Sequence, residues 1–240
     1  MIEKFTSHLR VDKKIVSLLS KSTYQRSFSS AIRELVSNAY DADALSVWIR
    51  YDKNFSFIEI EDDGNGMTKK EFERYLTIAG MKQESSLTRK YKRKMIGQFG
   101  VGFLSVFPFC ESLEIITTSE NSDEILKAKI PTKDYFDEKS RKGKADGVDV
   151  EDIPINGSIS TNPSEKLEHY TKIRLNNPTR IVKQYFTKPN TKKRESVFNW
   201  DPKKRFQWEL QEDLPINLNP ESKYYPTYKY DESISIAVFL

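Results

Sequence analysis

Three short stretches hold residues able to act on a ligand. In AIRELVSNAYDADA (Ala31 to Ala44), Glu34, Asn38 and Asp41 recur at spacings of four and three. A helix turning about 100° per residue gathers them on one stripe. Ile32, Leu35, Val36 and Ala39 gather on roughly the opposite side. Alone, that is an amphipathic helix with a solvated polar face. In IEIEDDGNGMT, strand alternation puts Ile58, Ile60 and Asp62 on one side. If that side faces the core, Asp62 is a carboxylate in an apolar pocket and needs a donor. The exocyclic amine of a purine is such a donor. Gly64 and Gly66 would let the backbone approach a flat ligand. In GQFGVGF, Gly97, Gly100 and Gly102 precede an apolar segment. Glycines ahead of a helix let backbone N–H groups converge on phosphate oxygens.

Several other chemistries are excluded. Glu61, Asp63 and Asn65 imitate the start of a calcium-binding EF-hand loop. That loop needs Asp first and a bidentate Glu twelfth, whereas Glu61 and Phe72 stand there. No G-x-x-x-x-G-K-[ST] is present, so this is no P-loop, and the polar residues before Gly97 do not read as the strand of a dinucleotide-binding unit. The one cysteine, Cys110, lies in an apolar run and reads as a small buried hydrophobe. It can build neither a disulfide framework nor a zinc set. No apolar h-region opens the chain and no apolar run approaches the ~20 residues of a membrane span. The expected location is the cytoplasm, without a membrane partner. His8 and His169 read as surface residues.

The elements that must position these residues follow from periodicity. Helices are expected over Val11 to Ser20, Ser27 to Asp43 and Lys69 to Thr77. Strands are expected over Leu45 to Tyr51 and Phe55 to Asp62, joined as a hairpin at Asp52 to Asn54. Further strands are expected over Ser112 to Thr118, Ile125 to Ile130 and Thr171 to Leu175. Pro131 to Glu168 reads as loop and irregular strand outside the core. Helices early and strands later, two of them adjacent, make an α+β two-layer sandwich with a mixed, mostly antiparallel sheet covered by helices on one face. Residues 1–180 are expected to form this domain. Residues 181–240, basic and aromatic, read as the start of a second region, and the apolar end SISIAVFL reads as a cut through a longer chain.

Glu34-x-x-x-Asn38, Asp62-x-Gly64-x-Gly66 and Gly97-x-x-Gly100-x-Gly102, in this order, resemble the GHKL ATPase superfamily of gyrase B, the 90-kDa heat-shock chaperones, sensor histidine kinases, MutL and the MORC proteins. Thr171 in YTKIRL is a fourth match, and the resemblance covers about residues 20 to 180. DDGNGMTKKEFERYLTIAG and IGQFGVGFLS are similar to the chaperone class, while NAYDADALSVWI runs from helix into strand as in MutL and MORC. The resemblance implies a Bergerat-type ATP-binding fold. It implies Glu34 as the general base for water, Asn38 as the Mg²⁺ ligand and Asp62 as the reader of adenine, with Met67 packing on the ring. Asp41 would lie near the base pocket or hold the helix end. Gly97, Gln98, Phe99, Gly100, Val101 and Gly102 would receive the phosphates of ATP or ADP, and Thr171 would share a water network with Asp62. Residues 68–96 would form a lid, in which Lys69 and Lys82 stand where chaperone-type members carry lysines near the phosphates. Many relatives complete the site with a lysine from a following domain, so slow turnover is expected; an ATP-driven clamp would form an ATP-dependent homodimer, and a non-hydrolysing nucleotide-sensing module is the alternative. The run RKYKRK (Arg89 to Lys94) reads as a solvated lid segment, with phosphate or nucleic acid as its alternatives. TKKRES and KKRFQW, with Trp200 and Trp208 beside basic residues, leave a nucleic-acid partner as a competing reading.

Overall fold

A computed structural model of the chain describes residues 2–12, 28–52, 54–76, 87–96, 102–120, 122–132, 150–161, 169–187, 206, 209, 227–231 and 235–239. In chain order the elements are β1 (Ile2–Asp12), α1 (Phe28–Asp41), β2 (Ser46–Tyr51), β3 (Phe57–Asp62), α2 (Lys69–Tyr75), a 3₁₀ helix (Gly102–Phe109), β4 (Cys110–Thr118), β5 (Glu124–Pro131), β6 (Val150–Thr161), β7 (Tyr170–Pro178), α3 (Arg180–Thr187), β8 (Thr227–Asp231) and β9 (Ser235–Phe239). The strands form one sheet in the order β1-β6-β5-β4-β7-β3-β2-β9-β8. Every pairing among the described residues is antiparallel.

Period-two alternation makes this sheet two-faced. Register aligns Ile49, Ile60, Ile173, Ile115 and Ala128 in one cross-strand row, and Tyr51, Ile58, Leu175, Leu113 and Ile130 in the next. All of these residues are buried. The opposite face carries Arg50, Glu59, Glu61 and Lys172, linked by ion pairs of 2.7 Å (Arg50–Glu61) and 3.0 Å (Lys172–Glu61). Such exposed pairs add little stability, but a face of this composition takes no second layer. The helices therefore lie on the apolar side. Ile32, Leu35, Val36 and Ala39 of α1, Phe72 of α2, Phe103 and Phe107 of the 3₁₀ helix and Val182 and Phe186 of α3 all enter one core. This is the two-layer α+β sandwich expected from the sequence.

The hairpin between β2 and β3 turns where Asp52 accepts the Ser56 N–H (2.6 Å) and its hydroxyl (2.8 Å). Helix α2 starts at a capping box, with Thr68 and Glu71 reciprocally bonded. Two sequence expectations are corrected. Val11 and Asp12 belong to strand β1, paired with Glu151 and Val150, not to a helix; residues 13–20 lie outside the described ones. The region Pro131 to Glu168 is not all loop and irregular strand outside the core: Val150–Thr161 is a regular twelve-residue strand between β1 and β5. Its Ile155 and Ile159 are in the core. Gly157 is small because the Phe5 ring of β1 fills its place, with ring carbons 2.3 and 2.6 Å from where a Cβ would stand.

The C-terminal side joins the same body. β9 pairs with β2 and β8 with β9. Phe206 stacks on Phe28 at 5.6 Å between centroids, and Phe186 packs on Tyr51, Phe55 and Phe28. Glu209 accepts hydrogen bonds from Ser29 (3.3 Å) and Tyr185 (2.5 Å).

Candidate active site

The third inward row of the sheet is polar where the other two are apolar. It runs Val47, Asp62, Thr171, Thr117. Strand β3 carries Ile58 and Ile60 into the core, and the same alternation forces Asp62 inward after them. Asp62 is buried. Its Oδ1 accepts the Gly64 N–H at 2.9 Å. Burial pushes the carboxyl up to about 7; the Gly64 and Thr171 N–H groups oppose the shift, and the charges of Asp63 and Glu61 add to it. A carboxyl so placed gains from any further donor.

Thr171 and Thr117 face each other at 3.1 Å between hydroxyl oxygens. Thr117 donates to the Tyr170 carbonyl (2.9 Å) and accepts the Met67 N–H (2.9 Å). With the Thr117 proton used, Thr171 donates to Thr117 and keeps its own lone pairs. Met67 is thereby held at the edge of the row and packs against the core. Gly66 sits at φ 63, and a Cβ on it would lie 1.8 Å from the Thr118 carbonyl oxygen. No side chain fits. Gly66→Ala is expected to cost more than about 3 kcal/mol, seen in thermal denaturation as a fall of about 6–12 °C in Tm.

Across the site, α1 buries its apolar stripe and leaves Glu34, Asn38 and Asp41 half-buried. Gly102, which opens the 3₁₀ helix, sits against both Glu34 and Asn38. Its Cβ would lie 3.3 Å from Glu34 Oε2 and 3.6 Å from Asn38 Nδ2. Arg33 Nη2 holds the other Glu34 oxygen, Oε1, at 2.5 Å. Asp41 is turned along the chain: its Oδ1 accepts the Ile96 N–H at 2.9 Å. The structure thus brings Glu34, Asn38 and Gly102 together at one end, and Asp62, Gly64, Gly66, Met67 and Thr171 at the other. Gly97, Gln98, Phe99, Gly100 and Val101 lie outside the described residues, as does Lys82. Lys69 points to β1, its ammonium 5.2 Å from the Phe5 ring centroid and 3.9 Å from Glu3.

Other residues join the site without having been singled out. Tyr75, from α2, stacks at 4.6 Å on Phe103. Its hydroxyl is buried without a completed hydrogen bond. Burial raises its pKa far above the ordinary phenol range, Asp62 adds to this and the facing Asn38 amide opposes it. His169 is half-buried: its ring Nδ1 lies 2.6 Å from the Gly64 carbonyl and must donate to it. Thr117 was legible in principle, since ESLEIITT continues an apolar alternation into a hydroxyl, as FIEIED continues one into Asp62. Nothing in the sequence marks Tyr75 or His169.

RKYKRK is only partly solvated. Arg89, Lys90, Lys92 and Lys94 are exposed, but Arg93 is buried. TKKRES, KKRFQW, Trp200 and Trp208 fall outside the described residues apart from Phe206. Among the described residues no helix is long and apolar enough to cross a membrane.

A polar helix stripe above an antiparallel sheet, facing a buried carboxylate at a strand end, defines an ATP-binding sandwich of the GHKL type. The model of the family "Histidine kinase-, DNA gyrase B-, and HSP90-like ATPase" matches residues 26–153, more than half of the chain, and the chain belongs to that family. It is similar to Chaperone protein HtpG of Bacillus licheniformis, 35% identical over 136 residues, which covers 47% of this chain and 21% of that protein. Chaperone protein HtpG of Wigglesworthia glossinidia brevipalpis is 36% identical over 138 residues, with the same coverage of 47% and 21%. The Endoplasmin homolog of Dictyostelium discoideum is 31% identical over 175 residues, 60% of this chain and 22% of that protein. The matched region thus spans about a fifth of the length of these relatives. The chain carries a GHKL-type ATPase domain.

Proposed function

We propose that this domain binds ATP with Mg²⁺, hydrolyses it slowly and uses the cycle to drive a conformational switch that includes pairing of two copies. The buried Asp62 carboxylate carries this reading. It stands buried with its pKa raised at the inner end of β3, where a ligand donor would add to the Gly64 and Thr171 N–H groups. In this reading Asp62 accepts from the adenine amine, and Thr171, with free lone pairs, completes the base-recognition end through water. Met67 lies beside the ring.

At the other end Glu34 accepts a proton from the attacking water and orients it through Oε2, the oxygen nearer Gly102. Arg33 Nη2, at 2.5 Å from the other oxygen, Oε1, orients the carboxylate. Asn38 offers one hard oxygen. Among the described residues no cluster of three or more His, Cys, Asp or Glu could form a protein cage for a metal. A single amide oxygen fits Mg²⁺, which keeps waters and takes most of its ligands from phosphates. When bound, the ion neutralises charge on the phosphates. Residues 97–102, with Lys82, would hold the phosphates. Cys110, buried and unpaired, suits a reducing cytoplasm.

Titration calorimetry with Mg²⁺ tests the base assignment. ATP is expected to bind at least about 100-fold tighter than GTP, because a carbonyl oxygen opposite Asp62 leaves a buried acceptor facing an acceptor. Equal affinities would remove Asp62 from base recognition.

A further inference from the structure

Helix α1 ends in a Schellman motif: Ala44 N–H bonds to the Ala39 carbonyl (3.0 Å) and Asp43 N–H to the Tyr40 carbonyl (3.1 Å). The left-handed position of that motif normally takes glycine. Here it is Asp43, at φ 63. Aspartate tolerates this conformation better than most residues, though less well than glycine, so the side chain must be the reason for its presence. Asp43 is buried, and its Oδ2 accepts the Lys90 N–H at 2.7 Å and Asn65 Nδ2 at 3.3 Å. Its Oδ1 accepts the Tyr91 N–H at 3.0 Å, and the Thr88 hydroxyl adds a further bond. Burial opposes the charge, yet these bonds hold the carboxyl below its ordinary range.

The segment Asp43 grips is closed on itself. Thr88 N–H bonds to the Arg93 carbonyl (2.8 Å), Arg93 N–H bonds to the Thr88 hydroxyl (3.0 Å), and Leu87 bridges to Lys94. The buried Arg93 guanidinium then reaches back across the joint. It donates to the Ala44 carbonyl at 2.7 Å and lies 4.8 Å from the ring centroids of both Tyr40 and Tyr91. Two further bonds run beside it: Ile96 N–H to Asp41, and Asn65 N–H to the Ala42 carbonyl at 2.8 Å.

We infer that Asp43 and Arg93 are positioning residues of the nucleotide site, joining three ligand-bearing segments into one rigid unit. The segments are the helix with Asn38, the loop with Gly64 and Gly66, and the chain that enters the glycine motif at residue 97. This rests on the ATP-binding reading above. It gives Asp43 a role through others, with no contact to nucleotide. It also explains why one arginine of an otherwise solvated basic run is buried.

Asp43→Gly isolates the role, since glycine satisfies the helix end better than aspartate and deletes only the carboxylate. The expected result, at a temperature where circular dichroism shows the variant folded, is faster amide exchange at Lys90, Tyr91 and Ile96 and an ATP Kd raised at least tenfold by calorimetry. Asp43→Asn keeps an acceptor oxygen and is expected to recover most of the affinity. A purely structural Asp43 would lower Tm and leave Kd unmoved, so faster exchange with Kd within twofold of the unaltered chain overturns the proposal. If Asp43→Gly does not fold, Thr88→Val carries the test, with a Kd rise of at least threefold expected and an unchanged Kd overturning it. Absence of ATP binding by the unaltered chain overturns the nucleotide reading itself, and the positioning role with it.

Discussion

Asp62→Ala is expected to weaken adenine-nucleotide binding by about 100-fold, the worth of a lost hydrogen bond to a charged group in a buried site. The loss has a pH signature. An amine donor favours the carboxylate, so binding requires Asp62 ionised, and in the free chain its carboxyl titrates at about 7. Affinity is therefore expected to fall about tenfold for each unit of pH below 7 and to level off above it. Stability of the ligand-free chain runs the opposite way. The folded carboxyl holds its proton up to about 7, whereas at its ordinary value of 3.8 the unfolded chain has already released it. Between those values the folded state binds more protons, so this group lowers stability as pH rises through the window, with no further effect above it. Asp62→Asn removes both slopes. Calorimetry and urea denaturation across pH 5–8 check the two limbs separately. ATP affinity in Asp62→Ala equal to that of the unaltered chain would end the assignment of this pocket to adenine.

Glu34→Ala is expected to retain ATP and to lose hydrolysis by about 10²–10⁴-fold, the usual contribution of a positioned base. The side chain lies outside the core, on the polar stripe of α1, so its removal leaves the packing of Ile32, Leu35 and Val36 untouched. Single-turnover phosphate release measures the chemical step, and calorimetry measures binding beside it. A variant that hydrolyses at the unaltered rate would move the base elsewhere. One that neither binds nor hydrolyses would show that Glu34 supports the site instead of acting in it.

What the sequence made legible was carried by strong local periodicity. Helix α1 shows its apolar stripe, β2 and β3 their alternation, and Asp62 is found by continuing that alternation one step into a polar residue. The misses have physical causes. β1 reads poorly because Glu3, Lys4, His8 and Arg10 interrupt any apolar run, although Phe5, Ser7 and Leu9 are buried. β6 contains Pro154 and Gly157, which locally signal turns. In the fold the ring of Phe5, from a strand about 150 residues away, covers Gly157. Asp43 and Arg93 are invisible for a related reason: their meaning depends on a contact between the end of a helix and a segment nearly fifty residues later.

The cluster of Phe28, Phe186 and Phe206, with Glu209 on Ser29, bears on how the domain can be cut for study. The motifs end near residue 178, and a fragment designed on them alone would stop there. That fragment would strip the rings that shelter Phe28, Tyr51 and Phe55 and would bare the outer edge of β2. Sticky aromatic surface and an open strand edge invite aggregation. A well-behaved recombinant piece therefore needs the residues through Phe239, even though the last sixty contribute no motif to the nucleotide site.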